Sequence, residues 1–383
     1  CGCPISLGTD EAARKGLTSQ RLASTIKFAE HFPQDSNTTV VMQGITQFIY
    51  DHYQEYDDKA KQLSKDLEAQ ITRIVATLPE DKNSALLLQG QTNLYLHFKD
   101  FDSAVRSAQA LLAINPPVDQ TLRLEAATVV ADAQFDKGNL EDADKSYQQV
   151  LAFDIKDTKL KARYQDRLAT TYYRQAEKLR DEKNPELAAQ AFLKAADMAA
   201  DTKLKATADF DAATVLLNAE KFKEAIPVLI AFRTRHPDSP LSQDIPEKLA
   251  VAYEKSDDLG NAALQYQAIA ARDQKKNPAA SREALWLAAE TFEKIKQPEQ
   301  ALKIYQQYSA DTTNPVDLRA EAVYRIYTYN DKNNLVTEAQ SSLKNLAQIY
   351  DKLGDKAPPR IRYFGALAHF KMTQPLYDNF AAM

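Results

Sequence analysis

The sequence predicts an all-α protein, a right-handed α-solenoid of stacked antiparallel helix pairs, on three observations. First, a small residue recurs inside an apolar frame at Ala104, Ala143, Ala188, Ala225, Ala262, Ala301 and Ala339, at separations of 39, 45, 37, 37, 39 and 38 residues. Such a period belongs to helical repeats, because one helix pair cannot bury its own apolar face and must stack on copies of itself. Second, only 9 Gly stand against 44% hydrophobic residues. Ala, Leu, Gln, Lys and Glu are abundant, β-branched runs are few, and no strand-like alternation stands out, all of which favours helix. Third, Phe101, Leu140, Phe222, Leu259 and Pro298 each stand three residues before one of those alanines. An alanine at the start of the second helix lets two backbones approach closely, and the residue before it closes the turn.

In chain order, residues 1–17 carry Gly, Pro and Ser with little periodicity and read as a tether. Residues 18–83 read as an N-terminal helical cap. A first helix, Ser19 to His31, ends before Pro33; an apolar and aromatic stretch follows from Val40 to Tyr56 and continues as a charged, heptad-like helix, Asp57 to Leu78, stopped by Pro79. Repeats occupy residues 84–383. In the first, Leu88, Tyr95 and Leu96 point inward and Pro116 ends the pair. The third repeat, Ala162 to Asp201, is longer, with the segment RDEKNPELAAQAF joining its helices. The seventh, Leu318 to Leu353, has an Asn-rich turn at Asn330 to Asn334. Pro359 opens a helix that starts an eighth pair, and the repeats are expected to continue beyond Met383.

A solenoid of 383 residues can run as one body, since its contacts reach only neighbouring repeats. The 48 basic and 53 acidic residues are mixed along the chain and leave a formal charge of −5, so no electrostatic footprint for nucleic acid or anionic lipid is present. Apolar residues come in short periodic stretches, and with a mean hydropathy of −0.49 no bilayer-spanning segment is expected. Both cysteines lie at the start, Cys1 and Cys3. A C-x-C pair without a second Cys or His cluster does not complete a metal site. A chain that begins with Cys followed by Gly2 resembles a mature bacterial lipoprotein, which implies a lipid anchor on Cys1 and a periplasmic, outer-membrane address.

The repeat pattern itself resembles the tetratricopeptide repeat family. Leu249, Ala250, Tyr253, Leu259, Ala262, Tyr266 and Ile269 fit one unit, and Ala288, Ala289, Phe292, Pro298, Ala301, Tyr305 and Tyr308 fit the next. The family's first-helix glycine is mostly Ala here, and the units exceed 34 residues. Such stretched repeats are similar to those of Gram-negative envelope proteins, and in its Arg360 to Phe380 stretch the chain is similar to long envelope proteins of this repeat type, some of which accompany Tol- or Exb-type motor complexes.

No phosphate loop, nucleophile elbow, zinc-protease helix or calcium loop is found, and no cofactor is expected. His31, His52, His97, His236 and His369 are scattered. His52 reads as part of a solvated face, and His236, in HPDSP, as a turn residue capping a helix end. The run Asp57 to Glu68 reads as an exposed helix face. The family resemblance marks a concave groove lined by Asn93, His97, Asp132, Asp136, Tyr173, Glu177, Arg180, Phe210, Thr214, Asn218, Glu247, Glu254, Trp286, Glu290, Glu293 and Tyr324. This is a mixed aromatic and acidic strip, which suggests a basic or amide-bearing partner segment. Trp286, the one tryptophan, either anchors a partner in the groove or packs between first helices. The function expected is a non-catalytic protein-binding scaffold of the cell envelope that holds other envelope proteins. The alternatives are a subunit that self-associates end to end into a ring or fibre, and the helical platform of a larger peptidoglycan-acting enzyme.

Overall fold

The structure, a computed structural model, describes residues 23–51, 65, 67–77, 82–115 and 117–381. No strand occurs among the described residues. The chain forms two compact units, Cys1–Ala208 and Asp209–Met383.

In the first unit, helices α1 (23–31), α2 (Ser36–Asp51) and α3 (67–77) precede the repeats. The expected segments 1–22, 52–64 and 78–81, with Cys1, Cys3, His52 and Pro79, lie outside the described residues, as does Pro116. Three pairs follow: α4 (Lys82–His97) with α5 (Phe101–Leu112), α6 (Gln120–Asp136) with α7 (Leu140–Leu151), and α8 (Thr158–Asp181) with α9 (Pro185–Met198). Met42, Ile45, Ile49, Leu67, Ile71 and Ile74 from the leading helices share one apolar cluster with Leu87, Leu88, Leu94 and Leu111, so α1 to α3 close the face that the first repeat would leave open. A second cluster, around Phe135, Tyr147, Leu168 and Tyr172, joins the next two pairs.

Helix α10 (Thr202–Asn218) crosses from one unit to the next and is paired with α11 (Phe222–Arg235). The second unit continues with a short 3-10 turn (Pro240–Asp244), then α12 (Ile245–Lys255) with α13 (Leu259–Asp273), α14 (Pro278–Lys294) with α15 (Pro298–Ala310), and α16 (Val316–Lys332) with α17 (Val336–Leu353). A final helix, α18 (Pro359–Ala381), packs on α17 and α16. Its Ile361, Phe364 and Ala368 are buried with Val323, Tyr327, Leu343 and Leu346. Burying a ring such as Phe364 fully contributes about 1.5–3 kcal/mol, and that gain is local to neighbouring pairs.

All seven recurring alanines occupy one place, the fourth residue of the second helix of a pair, and all are buried. Each donates its N–H to the carbonyl of the helix-capping residue four positions back, from Ala104 to Asp100 (3.0 Å) through Ala339 to Leu335 (2.9 Å). The residue five before each alanine is left-handed: Lys99, Gly138, Lys183, Glu220, Asp257, Lys296 and Asn334, with φ from 55° to 78°. The next N–H returns to a carbonyl five residues back, as in Asp258 to Tyr253 (2.9 Å) and Gln297 to Phe292 (2.9 Å). This is the hydrogen-bonded helix stop that reverses the chain within about three residues. Only Gly138 is the glycine that such a turn prefers.

Two expectations change. The extra length of the third repeat lies in α8, a 24-residue helix, and RDEKNPELAAQAF holds the same tight turn at Lys183 as its neighbours. In the seventh repeat α16 runs through Asn330, which is buried, so the turn is confined to Asn333 and Asn334.

Candidate partner-binding surface

The first helices carry the sixteen positions marked from sequence. In the first unit, Asn93 and Asp136 are exposed. His97 is half-buried in the last turn of α4, with its ring edge-on to Tyr50 at 6.2 Å. Asp132 accepts a short hydrogen bond from the Tyr147 hydroxyl of α7, and the Arg167 guanidinium of α8 stands 3.9 Å away. Tyr173 packs edge-on against Phe192 at 4.9 Å. Glu177 is half-buried, and Arg180 pairs with Asp181 at 3.0 Å.

The second unit repeats the arrangement. Phe210 lies edge-on to Phe232 at 5.6 Å, with the Lys248 ammonium 5.0 Å above its ring. The Thr214 hydroxyl donates to the Phe210 carbonyl of its own helix (2.9 Å), and Asn218 is exposed. Glu247 receives both Nη groups of Arg272. Glu254 accepts from the Tyr266 hydroxyl (3.0 Å), while Glu290 is exposed. Glu293 accepts from the Tyr305 hydroxyl (3.1 Å) and from Arg325 Nη1 (2.8 Å). Tyr324 stacks on Phe364 at 4.7 Å with the Arg360 guanidinium beside it. Trp286 is partly buried and edge-on to both Tyr305 and Tyr308 of α15, each at 5.3 Å, which places it in the packing of its own pair.

A common plan emerges from these contacts. A carboxylate on a first helix takes the phenol of its own second helix and the guanidinium of the next first helix: Asp132 with Tyr147 and Arg167, and Glu293 with Tyr305 and Arg325. Arg325 also pairs with Glu321 (3.3 Å), whose other oxygen holds Arg360 (2.9 Å), so the tie extends to α18. Burial, and then the neighbouring carboxylate, pushes the phenols of Tyr147 and Tyr305 well above the usual tyrosine range, and Tyr266 up to about 12. Much of the strip's negative charge is therefore paired within the protein, and the acidic character inferred from sequence is reduced to exposed groups such as Asp136 and Glu290. Sequence reasoning missed these ties because the phenol stands 12 or 15 residues and the guanidinium 32 or 35 residues after the acid.

His236 ends α11, as the reading of HPDSP suggests. Its Nε2 lies 2.8 Å from Oδ2 of the buried Asp209, which also takes two hydrogen bonds of 3.1 Å from Arg235. The nearby Ser242 hydroxyl donates to the His236 carbonyl and not to the ring, so the trio ties the end of α11 to α10. Among the described residues no group of three His, Cys, Asp or Glu side chains stands together to hold a metal ion, and no helix is long and apolar enough to cross a membrane.

Comparison with known proteins gives one family match: residues 283–311 match the model described as tetratricopeptide repeat. They run from within α14 to just past α15 and include Trp286, Ala301 and Tyr305. No curated protein matches the chain. Among solved structures, the chain is similar to BtubC of P. vanneervenii at 18% identity, covering 57% of this chain and 89% of that one with a TM-score of 0.28. The C-terminal part of a TPR repeat-containing protein from Cytophaga hutchinsonii is similar at 14% identity, with 84% and 98% covered and a TM-score of 0.29. Yeast Tom70 gives 14% identity, 96% and 90% covered, and a TM-score of 0.26. The fold assignment rests on the helix pairs themselves: the chain is an all-α helical-repeat protein, similar to tetratricopeptide repeat proteins, with one repeat matched to that family at residues 283–311.

Proposed function

We propose that this protein is a non-catalytic protein-interaction scaffold that holds segments of other bacterial envelope proteins along the first-helix faces of its repeats. The observation that supports this most is the division of labour on those helices. Trp286 packs within its own pair and Glu293 and Tyr324 fix one pair against the next, while Asn93, Asp136, Asn218 and Glu290 stay exposed on the first helices. A fixed surface loses little conformational freedom when a peptide settles on it, which is what a scaffold requires. In this reading the chain is attached to the outer membrane by a lipid on Cys1 and faces the periplasm, with a Tol- or Exb-type motor complex among its partners.

The test is a photoreactive amino acid placed at Asn93 or at Glu290 in intact cells, followed by identification of adducts. Envelope polypeptides captured from both positions support the proposal, and adducts to cytoplasmic proteins alone overturn it. Intact-mass analysis of natively expressed protein tests the anchor separately: an unmodified Cys1 removes it and leaves the scaffold reading in place.

A further inference from the structure

Between α13, α14 and α15 the second unit holds a cavity of about 230 Å³, at the edge where the links between pairs run. Ala270 and Ala271 of α13 and Leu285 of α14 give it an apolar wall. Arg282, near the start of α14, also lines it. This side chain is half-buried, and its guanidinium makes no hydrogen bond or ion pair with any described residue. A guanidinium that has given up part of its water without gaining a partner is unfavourable as it stands. Asp311, the first residue after α15, lines the same cavity from another element. Its Oδ1 is fixed by the N–H (2.9 Å) and the hydroxyl (2.7 Å) of Thr313, which leaves Oδ2 without a donor among the described residues. The Thr313 hydroxyl, and then the Thr313 N–H, hold this carboxyl below the usual aspartate range, and the charge of Arg282 adds to the effect. Asn314 also borders the cavity and is buried. Its Nδ2 donates to the Tyr308 carbonyl (2.8 Å), so Oδ1 is the atom turned the other way, and no described group donates to it.

We infer that this cavity is a binding site for a free α-amino acid, with the ligand carboxylate on Arg282 and the ligand ammonium on Asp311. Three features carry this. The first is charge. A cation and an anion from different elements line one cavity without pairing with each other, so a ligand that bears both charges satisfies both. A simple anion would sit beside the Asp311 carboxylate, and a simple cation beside the Arg282 guanidinium; each would meet a like charge. The second is size. Drug-sized ligands occupy about 300–1,000 Å³, and a cavity below that range suits a single amino acid better than a peptide. The third is the remaining polar lining. Gln267, Gln274 and Gln307 bring side-chain amides to the cavity, and an amide both donates and accepts. They suit an amino acid whose own side chain ends in an amide, with its aliphatic stem against Ala270, Ala271 and Leu285. The site lies wholly within the second unit and does not depend on the scaffold reading.

The experiment is isothermal titration of the 383-residue chain with L-glutamine, followed by the other common amino acids. A ligand of about ten heavy atoms held by two charge-assisted contacts should bind with a dissociation constant on the order of 0.1–1 mM. N-acetyl-L-glutamine, which lacks the ammonium, and L-glutaminamide, which lacks the carboxylate, should each bind at least tenfold more weakly, as should the dipeptide of two glutamines. Arg282→Gln and Asp311→Asn should each weaken glutamine at least tenfold. Ala271→Leu, which fills the cavity and leaves both charges, should abolish binding. Glu283→Gln, next to Arg282 in sequence but outside the cavity, should bind as the parent does. Because Arg282 holds no other helix, Arg282→Gln should keep the parent's urea midpoint in the absence of ligand, which separates lost binding from lost fold. Absence of binding by every amino acid at about 10 mM overturns the inference, as does binding that Arg282→Gln and Ala271→Leu leave unchanged. Acetate or phosphate bound as tightly as glutamine, with Asp311→Asn unaffected, would make this a site for anions alone and would also overturn it.

Discussion

Six of the seven turns hold a residue other than glycine in the left-handed region, and that gives a prediction whose sign runs against ordinary expectation. Consider Lys183→Gly, Glu220→Gly and Lys296→Gly, at φ of 62°, 58° and 58° with exposed side chains. A side-chain-bearing residue in this region costs roughly 1–2 kcal/mol. Glycine relieves that cost but makes the unfolded chain freer by roughly 0.5–1 kcal/mol. The net effect is a gain of about 0.5–1 kcal/mol at each turn. The three turns are in different pairs and share no partner, so the triple variant should gain about 2 kcal/mol. Urea denaturation followed by circular dichroism reads this as a midpoint raised by several tenths of a molar, with Gly138→Ala shifting it the other way. Lys178→Gly, inside α8, is the control and should lose about 1 kcal/mol. A triple variant less stable than the parent would refute the turn geometry.

Further predictions follow from the contacts between helices. A Cβ added at Gly365 would stand 2.3 Å from Cγ of Tyr350, so Gly365→Ala should destabilise the α17–α18 packing by roughly 1–3 kcal/mol, read as faster amide exchange in α18; unchanged exchange would show that the two helices are not so close. Glu293→Ala removes the acceptor shared by Tyr305 and Arg325 and should cost about 1–2 kcal/mol, whereas Glu290→Ala, exposed one turn earlier, should stay within about 0.5 kcal/mol; equal losses would discard the tie. Stability should also fall in strong alkali. The folded state holds the protons of Tyr147, Tyr266 and Tyr305 more tightly than the unfolded state, so their contribution is complete below pH 10. It is lost as the pH climbs toward 12 for Tyr266 and higher for the others. Urea midpoints between pH 8 and 11.5 should drop less for Tyr266→Phe than for the parent, and parallel curves would contradict this.

The fold was legible where a residue type is forced by packing. The alanines are visible in the sequence because only a small side chain fits where the second helix meets the first, and Phe101, Leu140, Phe222, Leu259 and Pro298 prove to be the opening residues of their helices. The turns were not legible, because backbone hydrogen bonds impose the left-handed conformation on Lys, Glu, Asp and Asn alike, and the usual glycine signal is missing from six of seven. The third repeat misled for the same reason: without a glycine at Lys183, the polar segment after α8 read as a long connection. Site residues fared less evenly. Asn93, Asp136, Asn218 and Glu290 are exposed, while Asp132 and Glu293 are claimed by partners from two other helices, a pairing no local spacing reveals.

The central claim is that the first helices of these stacked pairs present the surface on which partner segments lie. Its most direct test places one photoreactive amino acid at a time at exposed first-helix positions, Asn93, Asp136 and Glu290, and at exposed second-helix positions, Gln109 and Lys303, in cells. The account predicts that the three first-helix positions crosslink to a shared set of polypeptides and that the second-helix positions do so at least several-fold less. Equal capture from both kinds of helix, or capture from Gln109 and Lys303 alone, would contradict it.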